Sequence, residues 1–309
     1  MASLGSVILR EGFRMLYYHY RHRRARRPIV KPVTKLKIFL EPTDDYCPMA
    51  KQNFQAKMDH LIRLLSTTSG TDKSFMLVQY SAILLRQLVS RSKNGTANKT
   101  LAARLAALSK LLSDARTTYR LWDLISIIQW LRSLNTLPPS GSRPVQIERL
   151  QVITMLIYYP LEHLYFLASK GVLPLSPRLI NKAAIYSCRA WAAYTFLHFY
   201  HLWEELKLLE HERSQLHAFH AGSEKPSSGS SGSPRKPASS AMTRSLQELD
   251  ERRAALFNGL IVNLAYTPLT LHWSLSKGLY KSDTITGICG LVAAVGQLRA
   301  GWKASAVTG

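Results

Sequence analysis

Few side chains in this sequence stand at spacings that chemistry requires. His198 and His201 lie one helical turn apart, as do His217 and His220, a separation from which two imidazoles can chelate a metal. Neither pair has a third ligand at an obvious spacing. The first sits among Phe199, Tyr200 and Trp203, so both pairs read as structural or surface histidines. Cys47, Cys188 and Cys289 offer no C-x-x-C pair and no disulfide framework, which favours a reducing compartment. No phosphate-cradling G-x-x-x-x-G-K-[ST], G-x-G-x-x-G, H-E-x-x-H or nucleophile elbow occurs. With Asp+Glu at 19 in 309 residues, paired-carboxylate chemistry has little material. The expectation is a protein that is not an enzyme and has no metal or cofactor.

Charge is more telling. Lys+Arg number 41, for a formal net charge of +22, while hydrophobic residues make up 46%. The apolar residues need a core or a membrane, and the charge favours an anionic partner, nucleic acid or phospholipid. The segment Lys99 to Trp122, KTLAARLAALSKLLSDARTTYRLW, joins the two properties. At about 100° per residue, Leu101, Leu105, Leu108, Leu112 and Tyr119 fall within about 60° of one another, with Trp122 about 60° from Leu101. Lys99 and Lys110 lie opposite this stripe, Arg116 and Arg120 flank it, and Arg104 interrupts one edge. A Leu/Tyr/Trp face set against Lys and Arg is the pattern of a helix lying in a membrane interface, with Arg104 able to snorkel to headgroups. The expected insertion face is therefore Leu101, Leu105, Leu108, Leu112, Tyr119 and Trp122. The expected anionic-lipid contacts are Lys99, Arg104, Lys110, Arg116 and Arg120. A plain bundle helix with its stripe on a protein core has the same periodicity, so both readings stand at this point. A soluble nucleic-acid binder would also use the charge, but the aromatics cluster in apolar segments and interleave with no recognition motif. Nucleic acid is not an expected partner.

Thr284 to Trp302, TITGICGLVAAVGQLRAGW, contains Gly287, Gly290, Gly296 and Gly301. Each glycine costs about 1 kcal/mol in a soluble helix, whereas in a membrane small residues let helices approach closely. Gly287, Gly290 and Gly296 are expected at helix-packing or self-association contacts, and Trp302 with Lys303 would form an interfacial anchor. Together with the apolar stretch Ala254 to Leu275, this segment reads as a helical hairpin in or against a bilayer. Leu150 to Ala168 and Ala183 to Trp203 are nearly as apolar, interrupted by Pro160, Glu162 and His163 and by Arg189. Each could be a buried bundle helix, an interfacial helix or a marginal span. A channel or metabolite carrier would turn Glu162, Arg189 and Asn263 toward one cavity.

The elements that position these residues are all helical. Phe54, Met58, Leu61, Ile62, Leu64 and Leu65 recur at helical spacing until Thr67-Thr68-Ser69-Gly70 stops the run. Thr71 or Asp72 can cap a second helix, and a third spans about Leu101 to Leu134. The fold class is all-α: N-terminal amphipathic helices, central apolar helices and a C-terminal hairpin. Residues 1–45 form a basic arm with ten Lys/Arg and the single acid Glu11 before Leu40. That arm is read as solvated, the alternative being a mitochondrial presequence. Residues 46–139 form the amphipathic region, 140–221 the central helices and 246–309 the hairpin. Residues 222–245, rich in Ser, Gly and Pro, form a flexible linker.

Several motifs together resemble the peroxin-11 family of peroxisomal membrane proteins. They are Gly70-Thr71-Asp72-Lys73 with Gln79-Tyr80, Ser113-x-Ala115-Arg116 with Tyr119-Arg120, Tyr158-Tyr159-Pro160-Leu161-Glu162-His163-Leu164, and Gly287-x-x-Gly290 with Trp302-Lys303. Thr71 stands where the family usually has arginine. The resemblance implies a peroxisomal membrane protein (a mitochondrial membrane being the alternative) whose amphipathic helix enters the cytosolic leaflet, bends it and elongates the organelle. It further implies self-association into a homo-oligomer and recruitment of a dynamin-like GTPase and fission adaptors.

Overall fold

The computed structural model describes residues 48–91, 95–138, 142–223 and 236–306, which are helical with short connections and contain no strand. The basic arm therefore lies outside the described residues, as does the centre of the Ser/Gly linker. In chain order the elements are α1 (Pro48–Leu65), α2 (Thr68–Arg91), α3 (Gly95–Tyr119), a 3-10 turn (Arg120–Trp122) and α4 (Asp123–Asn135). There follow α5 (Arg143–Ser169), α6 (Pro177–Ser223), α7 (Lys236–Ser274) and α8 (Asp283–Ser305).

Three boundaries differ from those the sequence suggests. The long third helix is broken at Arg120–Trp122, where a 3-10 turn redirects the chain from α3 into α4. The linker is shorter at its end, because α7 already begins at Lys236. Asp72 is no cap: α2 starts one turn earlier, at Thr68, and Asp72 is buried within it. By contrast Pro160 does not interrupt its helix, and α5 runs unbroken from Arg143 to Ser169.

The core is built by α2, α4, α5, α6, α7 and α8. Met76 and Tyr80 of α2, Ile127 of α4, Val152, Met155 and Tyr158 of α5, Trp191 of α6, and Val262, Tyr266 and Leu269 of α7 meet Ala293 and Ala294 of α8. Trp191 sits at the centre, with its ring 5.6 Å from Tyr266, 5.8 Å from Trp273 and 6.4 Å from Tyr158. Side-chain hydrogen bonds set the register of successive antiparallel helices. Gln151 meets His198 at 3.2 Å between α5 and α6, and Asn263 donates to the Thr195 carbonyl at 3.0 Å between α7 and α6. Asn258 donates to the Gly296 carbonyl at 3.0 Å between α7 and α8. α1 closes one end of α8, where His60 Nε2 lies 2.9 Å from the Trp302 carbonyl oxygen and 3.0 Å from Ser305 Oγ.

Candidate functional site: the α2–α3 seam and the apolar helices

The face that α3 turns toward the protein is polar. Ser113, Arg116, Thr117 and Arg120 recur at three- and four-residue spacing, and all four are buried. Helical spacing puts such residues on one stripe, and here the stripe carries cations where a core helix would carry leucines. α2 supplies the partners from Asp72, Lys73 and Gln79, which are also buried on one face. Arg116 Nε donates to Asp72 Oδ1 at 2.9 Å and its Nη1 donates to Gln79 Oε1 at 2.8 Å. Lys73 Nζ holds the other Asp72 oxygen at 2.9 Å. Arg120 reaches α5 instead, with Nε to Glu162 Oε2 at 3.0 Å and Nη2 to Glu162 Oε1 at 2.7 Å. That two-pronged geometry is the strong form of a guanidinium–carboxylate pair. Thr117 Oγ1 accepts a third Arg120 bond at 3.0 Å, and His163 meets the Arg120 carbonyl at 3.1 Å.

Burial alone would push the Asp72 carboxyl up. The Arg116 guanidinium and the Lys73 ammonium outweigh it and hold the group well below the usual carboxylate range. Burial likewise works against the Arg120 cation, but Glu162 overcomes it and raises its affinity for the proton. Two of the chain's few acids are thus committed to fixing α3 against α2 and α5.

These positions correct part of the sequence reading. Arg116 and Arg120 were expected at headgroups; they are instead sealed in ion pairs, because the carboxylates and Gln79 satisfy donors that water or phosphate would otherwise have to reach. Lys99, Arg104 and Lys110 are exposed, as lipid contact requires. The apolar stripe is rotated about 100° from the buried face on the helical wheel. Leu101, Leu108, Tyr119 and Trp122 are exposed, Trp122 to 72%, while Leu105 and Leu112 are half-buried at the stripe's inner edge. The plain bundle-helix alternative, with this stripe on the core, is not what the fold adopts. Leu111, outside the predicted stripe, is 65% exposed and extends the apolar face; Ile125 and Ile128 continue it along α4. Their spacing from Trp122, three residues each time, was the available signal.

Of the two roles expected for the glycines, helix packing is the one the fold shows. A Cβ on Gly290 would lie 2.2 Å from the Tyr80 ring, and one on Gly287 would lie 2.6 Å from a Leu84 methyl. On another face a Gly296 Cβ would meet Val262 at 2.5 Å. They pack helices within one chain, α8 against α2 and α7, so these contacts are already occupied and offer no free surface for self-association. Glu162, Arg189 and Asn263 do not face one cavity either. Glu162 binds Arg120, Arg189 donates to the Ser274 carbonyl at 3.3 Å, and Asn263 donates to Thr195. α7 from Met242 to Ser274 and α8 from Asp283 to Ser305 are long and apolar enough to cross a membrane.

The residues that carry the sequence resemblance converge in this structure. Asp72, itself held by Lys73, and Gln79 meet Arg116; Arg120 meets Glu162 and His163; Tyr80 packs on Gly290. No curated protein and no solved structure matches the chain. The family model for peroxisomal biogenesis factor 11 (PEX11), however, matches residues 58–302, a stretch that takes in every one of those contacts. On that match, over most of its length, the chain belongs to the peroxisomal biogenesis factor 11 (PEX11) family.

Proposed function

We propose that this protein elongates the peroxisomal membrane by shallow insertion of the outward apolar face of α3 and the start of α4. The family is one of peroxisome biogenesis factors, with a general role in proliferation of the organelle membrane. The observation that carries the finer reading is the orientation of α3: its polar stripe is turned inward, while Leu101, Leu108, Leu111, Tyr119 and, in the turn that follows, Trp122 are turned outward. An exposed aromatic and aliphatic face of this kind binds an interface in proportion to the area it buries. Wedging it between headgroups expands one leaflet, and Lys99, Arg104 and Lys110 add attraction to anionic lipid, about 1 kcal/mol each near the surface. α7 and α8 anchor the protein. The face that inserts is not the face that docks. Self-association and recruitment of a dynamin-like GTPase with its adaptors complete the proposal, on the strength of family membership.

The test is in cells. Leu101→Ser, Leu108→Ser and Leu111→Ser combined should shorten peroxisomes relative to wild type while the protein's level and its resistance to alkaline carbonate extraction stay unchanged. Normal elongation by a stable triple variant would sink the reading.

A further inference from the structure

The outer wall formed by α6, α7 and α8 is apolar over a definite height. The Asn263–Thr195 and Asn258–Gly296 bonds bring Glu204 of α6, Arg253 of α7 and Arg299 of α8 to one end. Arg189, Lys277 and Asp283 stand at the other. Between them, residues 190–203 of α6 and 284–298 of α8 carry no Asp, Glu, Lys or Arg, about 21–22 Å of helix at 1.5 Å per residue. Phe196, Tyr200, Phe257, Ile261, Leu264, Ile288 and Val292 are exposed on this band. Charges at both ends of an apolar band suit contact with lipid hydrocarbon.

Near the Glu204–Arg253 end α6 and α7 leave a gap between them, and beyond it the Arg213–Asp250 and Arg252–Glu212 pairs join the two helices again. The gap is a cleft of about 390 Å³ whose walls include Phe199, Leu202, Trp203, Leu206, Phe257 and Leu260, a size within the roughly 300–1,000 Å³ of small-ligand sites. Both rim aromatics carry a cation: Arg253 lies 5.5 Å from the Phe257 ring centroid and Lys207 lies 5.2 Å from that of Trp203. Glu204 binds Lys207 at 3.1 Å and offsets its charge, and Arg253, exposed on α7, is the other cation on the rim. An apolar slot that opens where the charge-free band ends, with a guanidinium at its mouth, matches a chain plus a phosphate.

We propose that this cleft binds one anionic phospholipid of the surrounding leaflet, an acyl chain between α6 and α7 and the phosphate at Arg253. The proposal rests on the reading of α7 and α8 as membrane-embedded, and the experiment separates the two. Full-length protein purified in detergent is incubated with phosphatidylglycerol or phosphatidylcholine, and retained lipid is counted by native mass spectrometry. Membranes from the same expression are extracted with alkaline carbonate. Wild type should retain phosphatidylglycerol about fivefold over phosphatidylcholine. Arg253→Gln, an exposed change, should abolish that preference while leaving carbonate resistance intact. Leu260→Trp should fill the slot and lose both lipids. A preference that survives Arg253→Gln, or lipid retention that survives Leu260→Trp, overturns the cleft assignment. Release of wild type by carbonate overturns the membrane reading beneath it.

Discussion

Arg116 and Arg120 sit in a leucine-rich helix, and their residue types alone invite contact with headgroups. What the sequence could not supply was the distance to Asp72 and Glu162, which lie 44 and 42 residues away. Ser113, Arg116, Thr117 and Arg120 share one helical stripe, but buried faces are read from apolar periodicity and these four are polar. The pairs make specific demands. Removing one member leaves a buried charge uncompensated, so Glu162→Leu should lower stability by about 3–5 kcal/mol, whereas the double replacement Arg120→Met with Glu162→Leu should recover most of that loss. Urea unfolding of the three proteins in detergent checks it, and equal losses for single and double variants would count against the pairing. The depressed Asp72 pKa gives a pH expectation. A carboxyl held below its unfolded value of about 3.9 contributes stability above that value and loses it as pH falls toward the folded one. Arg120, shifted upward, contributes throughout neutral and acidic pH. The seam should therefore be equally stable from pH 8 to about pH 5 and weaken only below about pH 4, as amide exchange in α3 can measure. Loosening between pH 7 and pH 5 would point to a titrating group other than these.

At the scale of elements, helix existence was legible and helix orientation was not. Leucine periodicity located α1, α2 and the start of α3 because local spacing decides it. The break at Arg120–Trp122 escaped notice since no Gly or Pro marks it; the turn follows from Arg120 bending inward to Glu162 while Trp122 stays outside. The start of α7 at Lys236 was hidden by Ser and Pro composition. The small residues of α8 were recognised as a packing device, but their partners, Leu84 and Tyr80 on α2, lie about two hundred residues away in the chain and no local pattern names them. Close approach at Gly290 can be tested directly. Gly290→Leu would force a side chain into the Tyr80 ring, for an expected loss of about 1–3 kcal/mol, seen as a lower melting temperature by circular dichroism. An unchanged melting temperature would mean that α2 and α8 do not meet there.

At the scale of the whole molecule, the proposed function gives separate tasks to the ionic seam, the two apolar helices α7 and α8 and the outward apolar face. The family is peroxisomal, and its match gives no support to the mitochondrial alternative. Because α3 docks through its polar stripe, the Leu101, Leu108, Leu111 and Trp122 surface is exposed while the seam is intact. The most direct measurement is on membranes of known composition. Full-length protein reconstituted with anionic vesicles should draw them into tubules visible by electron microscopy. The Leu108→Ser, Leu111→Ser variant, equally helical and equally incorporated, should leave them spherical. Tubules of normal number and width from that variant would contradict the claim that this face bends the membrane.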